Sequence, residues 1–106
     1  MMIPFFVWKS KQLLPVNPED VLFLRAMGNY TEVVLRNYKL FMVRSTLLNA
    51  LKKLPPELFI KTHRGWAVSI LHIVNVEKDT VKVGKTAIPI SRKLYKTVLG
   101  QLNVIE

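Results

Sequence analysis

The chain holds no cysteine, which excludes a disulfide framework and a thiolate metal site and leaves stability to the packed core. Acidic residues are scarce, seven Asp and Glu against sixteen Lys and Arg. They are also scattered, at Glu19, Asp20, Glu32, Glu57, Glu77, Asp79 and Glu106. Histidine is limited to His63 and His72, with no carboxylate cluster near either. A metal centre or nuclease needs several such groups converging, and this pattern offers none. Ser10, Ser45, Ser69 and Ser91 sit in no nucleophile elbow, and there is no glycine-rich phosphate loop. No apolar run approaches the ~20 residues of a membrane helix. The opening Met-Met-Ile-Pro-Phe-Phe-Val-Trp lacks a basic stretch ahead of it, so it does not read as a signal peptide. These absences point away from catalysis, cofactors, metals and membrane spans, and toward a reduced cytoplasmic setting.

What is present is a chain of 106 residues, half of them hydrophobic. That is enough for one proper core, and one domain over residues 1–106 is expected. The same hydrophobic share argues against disorder. A formal net charge of +9 on so small a body calls for a polyanionic partner. DNA, RNA, an anionic membrane surface and an acidic protein all qualify, and charge alone does not choose.

Short apolar runs broken by turn residues dominate the chain. Strands are predicted at Phe5 to Trp8, Gln12 to Val16, Val21 to Leu24, Tyr30 to Leu35 and Leu40 to Val43. Lys9-Ser10-Lys11, Asn17 to Asp20, Gly28-Asn29 and Asn37-Tyr38-Lys39 break them. Further strands are predicted at Leu58 to Lys61, Ala67 to Ile70, Ile73 to Glu77, Thr80 to Val83 and Thr86 to Ile90. Thr62 to Gly65, Lys78-Asp79 and Gly84-Lys85 form the turns between them. A short helix follows Ser45-Thr46, with Leu47, Leu48, Leu51 and Leu54 on its apolar face, and Pro55-Pro56 ends it. Ser91 caps a last helix whose Leu94, Val98, Leu99 and Leu102 share a face. Phe5, Phe6, Phe23 and Phe59 read as core residues, Met27 and Met42 as core fillers, and Trp66 as a core or wedge residue.

In this order the pieces resemble the LytTR family of DNA-binding domains, over a stretch from about Phe6 to Leu99. The resemblance is carried first by Asp20-Val21-Leu22-Phe23-Leu24-Arg25-Ala26-Met27-Gly28-Asn29-Tyr30. Then come Thr46-Leu47 with Leu54-Pro55-Pro56, and Phe59-Ile60-Lys61-Thr62-His63-Arg64. Thr80-Val81-Lys82-Val83-Gly84-Lys85 and Ile88-Pro89-Ile90-Ser91-Arg92 complete it. Lys61, Gly65 and Ser69 stand where the family usually has Arg, Ser and Asn. A lysine in place of arginine gives up the planar fork. The resemblance implies a mainly β fold, an elongated stack of antiparallel sheets with one short inserted helix and a C-terminal helix. It also implies loops set into successive major grooves of duplex DNA, and bacterial transcription control. Paired direct repeats, a dimer on DNA, and an attached receiver or sensor domain belong to the same implication.

Three loops stand out under that resemblance. They carry Asn29 and Tyr30, then Lys61, His63 and Arg64, then Ser91, Arg92 and Lys93. An arginine beside a turn glycine can reach guanine O6 and N7 together, which makes Arg64 the leading base-reader; a phosphate contact or a solvated surface role is the alternative. Arg92 at a helix start opposes the helix dipole unless an anion meets it, and Lys93 with neighbouring N–H groups offers one a place. Asn29 can read adenine or serve the turn alone; His63 can donate or simply pack; Tyr30 can touch the backbone or pack in its strand. Lys9, Lys11, Lys39, Arg44, Lys82 and Lys85 fall near turns and form an expected nonspecific phosphate fringe. An RNA or single-strand binder, or a protein-interaction domain with an exposed sheet edge, are the rival readings.

Overall fold

The computed structural model describes residues 2–106. Ten strands form three antiparallel sheets, giving a body of 47 × 32 × 24 Å. β1 (Phe5–Lys9) and β2 (Gln12–Val16) pair as an N-terminal hairpin. β3 (Val21–Met27), β4 (Tyr30–Leu35), β5 (Leu40–Val43), β6 (Phe59–His63) and β7 (Trp66–Ser69) build a central sheet in the order β5-β4-β3-β7-β6. β8 (Ile73–Val76), β9 (Thr80–Val83) and β10 (Thr86–Pro89) form the third sheet. Helix α1 (Leu47–Leu51) lies between β5 and β6, and α2 (Tyr95–Gln101) closes the chain. The expected mainly β stack with an inserted and a C-terminal helix is what the chain adopts.

The central sheet is buried on both faces, so β3 begins as an unbroken apolar run. Val21 and Leu24 enter one core with Val7, Val33, Leu54 and Phe59 under the N-terminal hairpin and α1. Leu22 and Phe23 enter the other with Ile60, Val68, Val81, Ile88 and Val98 under the third sheet and α2. Strict alternation would separate Leu22 from Phe23. A bulge allows them to share a side: Val21 pairs with Leu35 and Phe23 with Val34, so Leu22 is the extra residue.

Several sequence expectations are corrected. α1 stops at Leu51, and Leu54 reaches the core from beyond it. The Lys53 and Leu54 N–H groups bond back to Ala50 and Leu51; these three-residue spacings tighten the end, and Pro55 disfavours helical geometry at Leu54. Leu48, within α1 but turned away from its buried Leu47 side, is not core; it is 60% exposed. β6 runs on through Thr62 and His63, leaving Arg64-Gly65 as a two-residue turn. The last helix starts at Tyr95 after a 3₁₀ turn over Arg92–Leu94. Phe6, 57% exposed, lies on the open face of the N-terminal hairpin, whose other face packs through Val7. Met42, 43% exposed, and Met27 also face outward rather than filling the core.

Candidate nucleic-acid interface

Strand register decides which loops meet. Met27 pairs with Tyr30 across the Gly28-Asn29 turn, where Gly28 holds φ +59°. Arg25 on the other side of β3 pairs with Trp66, which brings the β6–β7 turn to the same end of the sheet. The Ala26 N–H donates to the Gly65 carbonyl at 2.8 Å and joins the two turns. Thr31 pairs with Val43, so Arg44 leaves β5 at this end as well. The Ser91 N–H donates to the Thr62 carbonyl at 2.8 Å, and Arg92 and Lys93 follow directly. Asn29, Tyr30, Arg44, His63, Arg64, Arg92 and Lys93 are thus gathered at one end, called here the Arg64 end.

Each member has a local reason for its place. β6 carries a bulge where Lys61 pairs with Ala67 and His63 with Trp66, leaving Thr62 extra just before the turn. Such bulges re-aim the chain. His63 Nδ1 accepts the Gly65 N–H at 3.1 Å, so the ring closes the turn through one nitrogen and keeps Nε2–H as a free donor. Arg64 is exposed at the turn tip, and Asn29, Arg44, Arg92 and Lys93 are exposed too. Tyr30 is 42% exposed, so it does not pack away in its strand. Lys61 is half-buried on β6. The Ser91 hydroxyl accepts the Leu94 N–H at 3.2 Å, the cap expected of it. The same N–H also bonds the Ser91 carbonyl at 3.0 Å, so it is not free to share an anion with Lys93.

Arg25 is fixed rather than free. Its guanidinium lies 5.1 Å over the Trp66 ring and 3.8 Å from Glu32. Trp66, half-buried, also packs on Phe23 with ring centroids 5.8 Å apart; the core role holds for it. The cation–π contact contributes about 0.5–1 kcal/mol at such a site.

Two cations that the sequence did not single out join this end. Lys78 and Lys96 line a depression of about 480 Å³ together with Arg92, Lys93, Tyr95 and Asp79. The Ile90 N–H bonds the Asp79 carbonyl at 2.9 Å, which seats the β8–β9 turn beside Arg92. One signal was available: Arg92, Lys93 and Lys96 are spaced as neighbours on one helical face.

The expected fringe divides. Arg44 lies at the Arg64 end, directly after the Thr31–Val43 pair. Lys39 and Lys85 lie at the opposite one, where the Lys85 N–H donates to the Tyr38 hydroxyl at 2.7 Å and ties the β4–β5 and β9–β10 turns together. Lys82 is mid-strand on β9 and exposed. Lys9 and Lys11 belong to the N-terminal hairpin, and the Lys9 ammonium stands 5.4 Å over the Phe41 ring. Among the described residues no group of three or more metal-ligating side chains converges, and no helix is long and apolar enough to cross a membrane.

A layered β scaffold that presents loops and uncompensated cations at one end has the form of a polyanion-binding domain. Comparison with known proteins makes this specific. The LytTr DNA-binding domain family matches residues 11–103, and the chain belongs to that family. Its fold is also that of the LytTr DNA-binding domain of a protein described as a methyl-accepting/DNA response regulator from Bacillus cereus. The two share 20% identity at a TM-score of 0.80, covering 98% of this chain and 100% of that one.

Proposed function

We propose that this DNA-binding domain reads duplex DNA in a sequence-specific way through the loops of the Arg64 end, acting as one unit in cytoplasmic transcription control. The carrying observation is the Ala26–Gly65 hydrogen bond with its flanking register, which sets the Asn29 and Arg64 turns side by side. Arg64 supplies the bidentate fork for guanine, worth about 1–3 kcal/mol of discrimination. Asn29 and the Nε2–H of His63 offer shorter-range donors beside it. Arg44, Arg92, Lys93, Lys78 and Lys96 hold the flanking phosphates, and Lys61 adds a point charge on β6. Family membership supports two copies on paired direct repeats, with a receiver or sensor domain elsewhere in the regulator.

A second reading has one observation behind it. Phe6, Trp8, Tyr30, Met42 and Arg44 border a shallow depression of about 280 Å³, and exposed aromatics beside a cation are how single strands are stacked. One experiment separates the two. Selection from a random duplex pool, followed by titration of the chosen duplex and its separated strands at two salt concentrations, is expected to give a duplex preference with a steep negative salt slope. Equal or tighter binding of the single strands contradicts the duplex reading.

A further inference from the structure

The cavity between the N-terminal hairpin and α1 lies beside the Arg64 end but is lined by none of its cations. Its floor is core: Val7 of β1, Leu24 of β3 and Val33 of β4 line it, and each is at least 95% buried. Its polar lining comes from Ser45, Asn49 and Lys53. The volume is about 240 Å³, below the ~300–1,000 Å³ of drug-sized sites, which sizes the occupant as a short molecule. The cavity is open to solvent, and an apolar guest gains by removing its apolar wall from water. Among the described residues, Lys53 is the one charged residue lining it and forms no ion pair with a carboxylate. An apolar floor with a few polar groups at its edge is the usual make-up of a small-molecule site, and the positive charge of Lys53 favours an anionic head over a cationic one.

We propose that this cavity binds a small apolar molecule with a single anionic head, of the medium-chain carboxylate class. The chain lies on Val7, Leu24 and Val33, and the head lies beside Lys53. The cavity wall leads to the β3–β4 hairpin, because the Ser45 carbonyl accepts the Thr31 hydroxyl at 2.8 Å. Thr31 directly follows Tyr30. Occupancy therefore couples to the Arg64 end through Ser45, a consequence that rests on the DNA-binding reading; binding itself does not.

The test titrates octanoate and octylamine separately into isotope-labelled protein at physiological ionic strength, followed by amide NMR. Saturable shifts are expected at Val7, Leu24, Asn49 and Ala50, with octanoate bound about two- to fivefold more tightly, the range an exposed ion pair supplies. A net charge of +9 attracts any anion, so the variants decide. Lys53→Glu, at an exposed position, is expected to reverse the preference. Ala50→Phe fills the cavity and is expected to abolish both titrations. Shifts scattered over the surface cations overturn the proposal, as do shifts centred on Trp8, Tyr30 and Met42 outside the cavity. An octanoate preference that survives Lys53→Glu overturns it as well. Repeating a duplex titration with and without octanoate tests the coupling: a changed Kd in the unsubstituted protein supports it, and an unchanged Kd removes the coupling alone.

Discussion

The two ends of the central sheet carry similar residue types and use them in opposite ways. At the Tyr38 end, Arg36 and several polar groups find partners within the molecule, while the side chains of Lys39 and Lys85 stay exposed. Arg36 pairs with Asp20 at 2.6 Å, and its N–H bonds the Asp20 carbonyl at 2.8 Å. His72 Nε2 meets the Glu19 carbonyl at 2.7 Å, and the Tyr38 hydroxyl takes the Lys85 N–H. At the Arg64 end, hydrogen bonds shape the backbone, while Arg64, Arg92 and Lys93 form no ion pair among the described residues. Cations whose partners are internal hold a fold; cations left exposed on fixed turns are available to something outside it. The +9 charge is therefore less informative than where its partners are.

Variants can break or sharpen that contrast, taken here in falling order of effect. Arg64→Ala is expected to weaken the selected duplex by about 1–3 kcal/mol and to relax the base preference at one position. Its denaturation midpoint stays unchanged, since Arg64 is an exposed turn residue. Gly84→Ala acts at the other end. Gly84 holds φ +58°, and an added Cβ would stand 2.6 Å from the Tyr38 hydroxyl. A loss of about 1–2 kcal/mol in folding stability is expected from the left-handed backbone, with duplex affinity per folded molecule unaltered. Tyr38→Phe removes the acceptor for the Lys85 N–H and is expected to cost about 0.5–1.5 kcal/mol in urea unfolding, again without changing DNA affinity. Lys85→Ala and Arg92→Ala separate the ends by salt dependence. The slope of log Kobs against log[salt] falls by about one for Arg92→Ala and stays put for Lys85→Ala. Thr62→Val completes the set. The Thr62 hydroxyl is buried without a hydrogen-bond partner among the described residues, so this variant is expected to be neutral or slightly stabilising in the same unfolding assay. A clear destabilisation would show that the hydroxyl is bonded in solution.

Local pattern made most of the scaffold legible. Tyr30 to Leu35, Leu40 to Val43 and Thr80 to Val83 form strands with the expected bounds, because β-branched runs closed by turn residues leave few alternatives. Exposure was harder to read. Phe6 and Met42 are as apolar as buried neighbours, and only the absence of a covering layer leaves them in solvent. The bulges at Leu22 and Thr62 were hidden for a related reason, being set by two strands that must agree rather than by either alone. Grouping the site also needed register. Lys39 and Lys85 look like Arg44 in sequence, yet pairing carries them to the opposite end. Lys78 was read only as a turn residue, and it reaches Arg92 through the Ile90–Asp79 bond.

The most direct measurement of the central claim is an amide and side-chain NMR titration of the whole domain with its selected duplex. Shifts and line broadening are expected to concentrate at Asn29, Arg44, His63, Arg64 and Arg92, with Tyr38, Gly84 and Lys85 unmoved. Perturbations centred on Tyr38 and Lys85, or spread evenly over both ends, would contradict it.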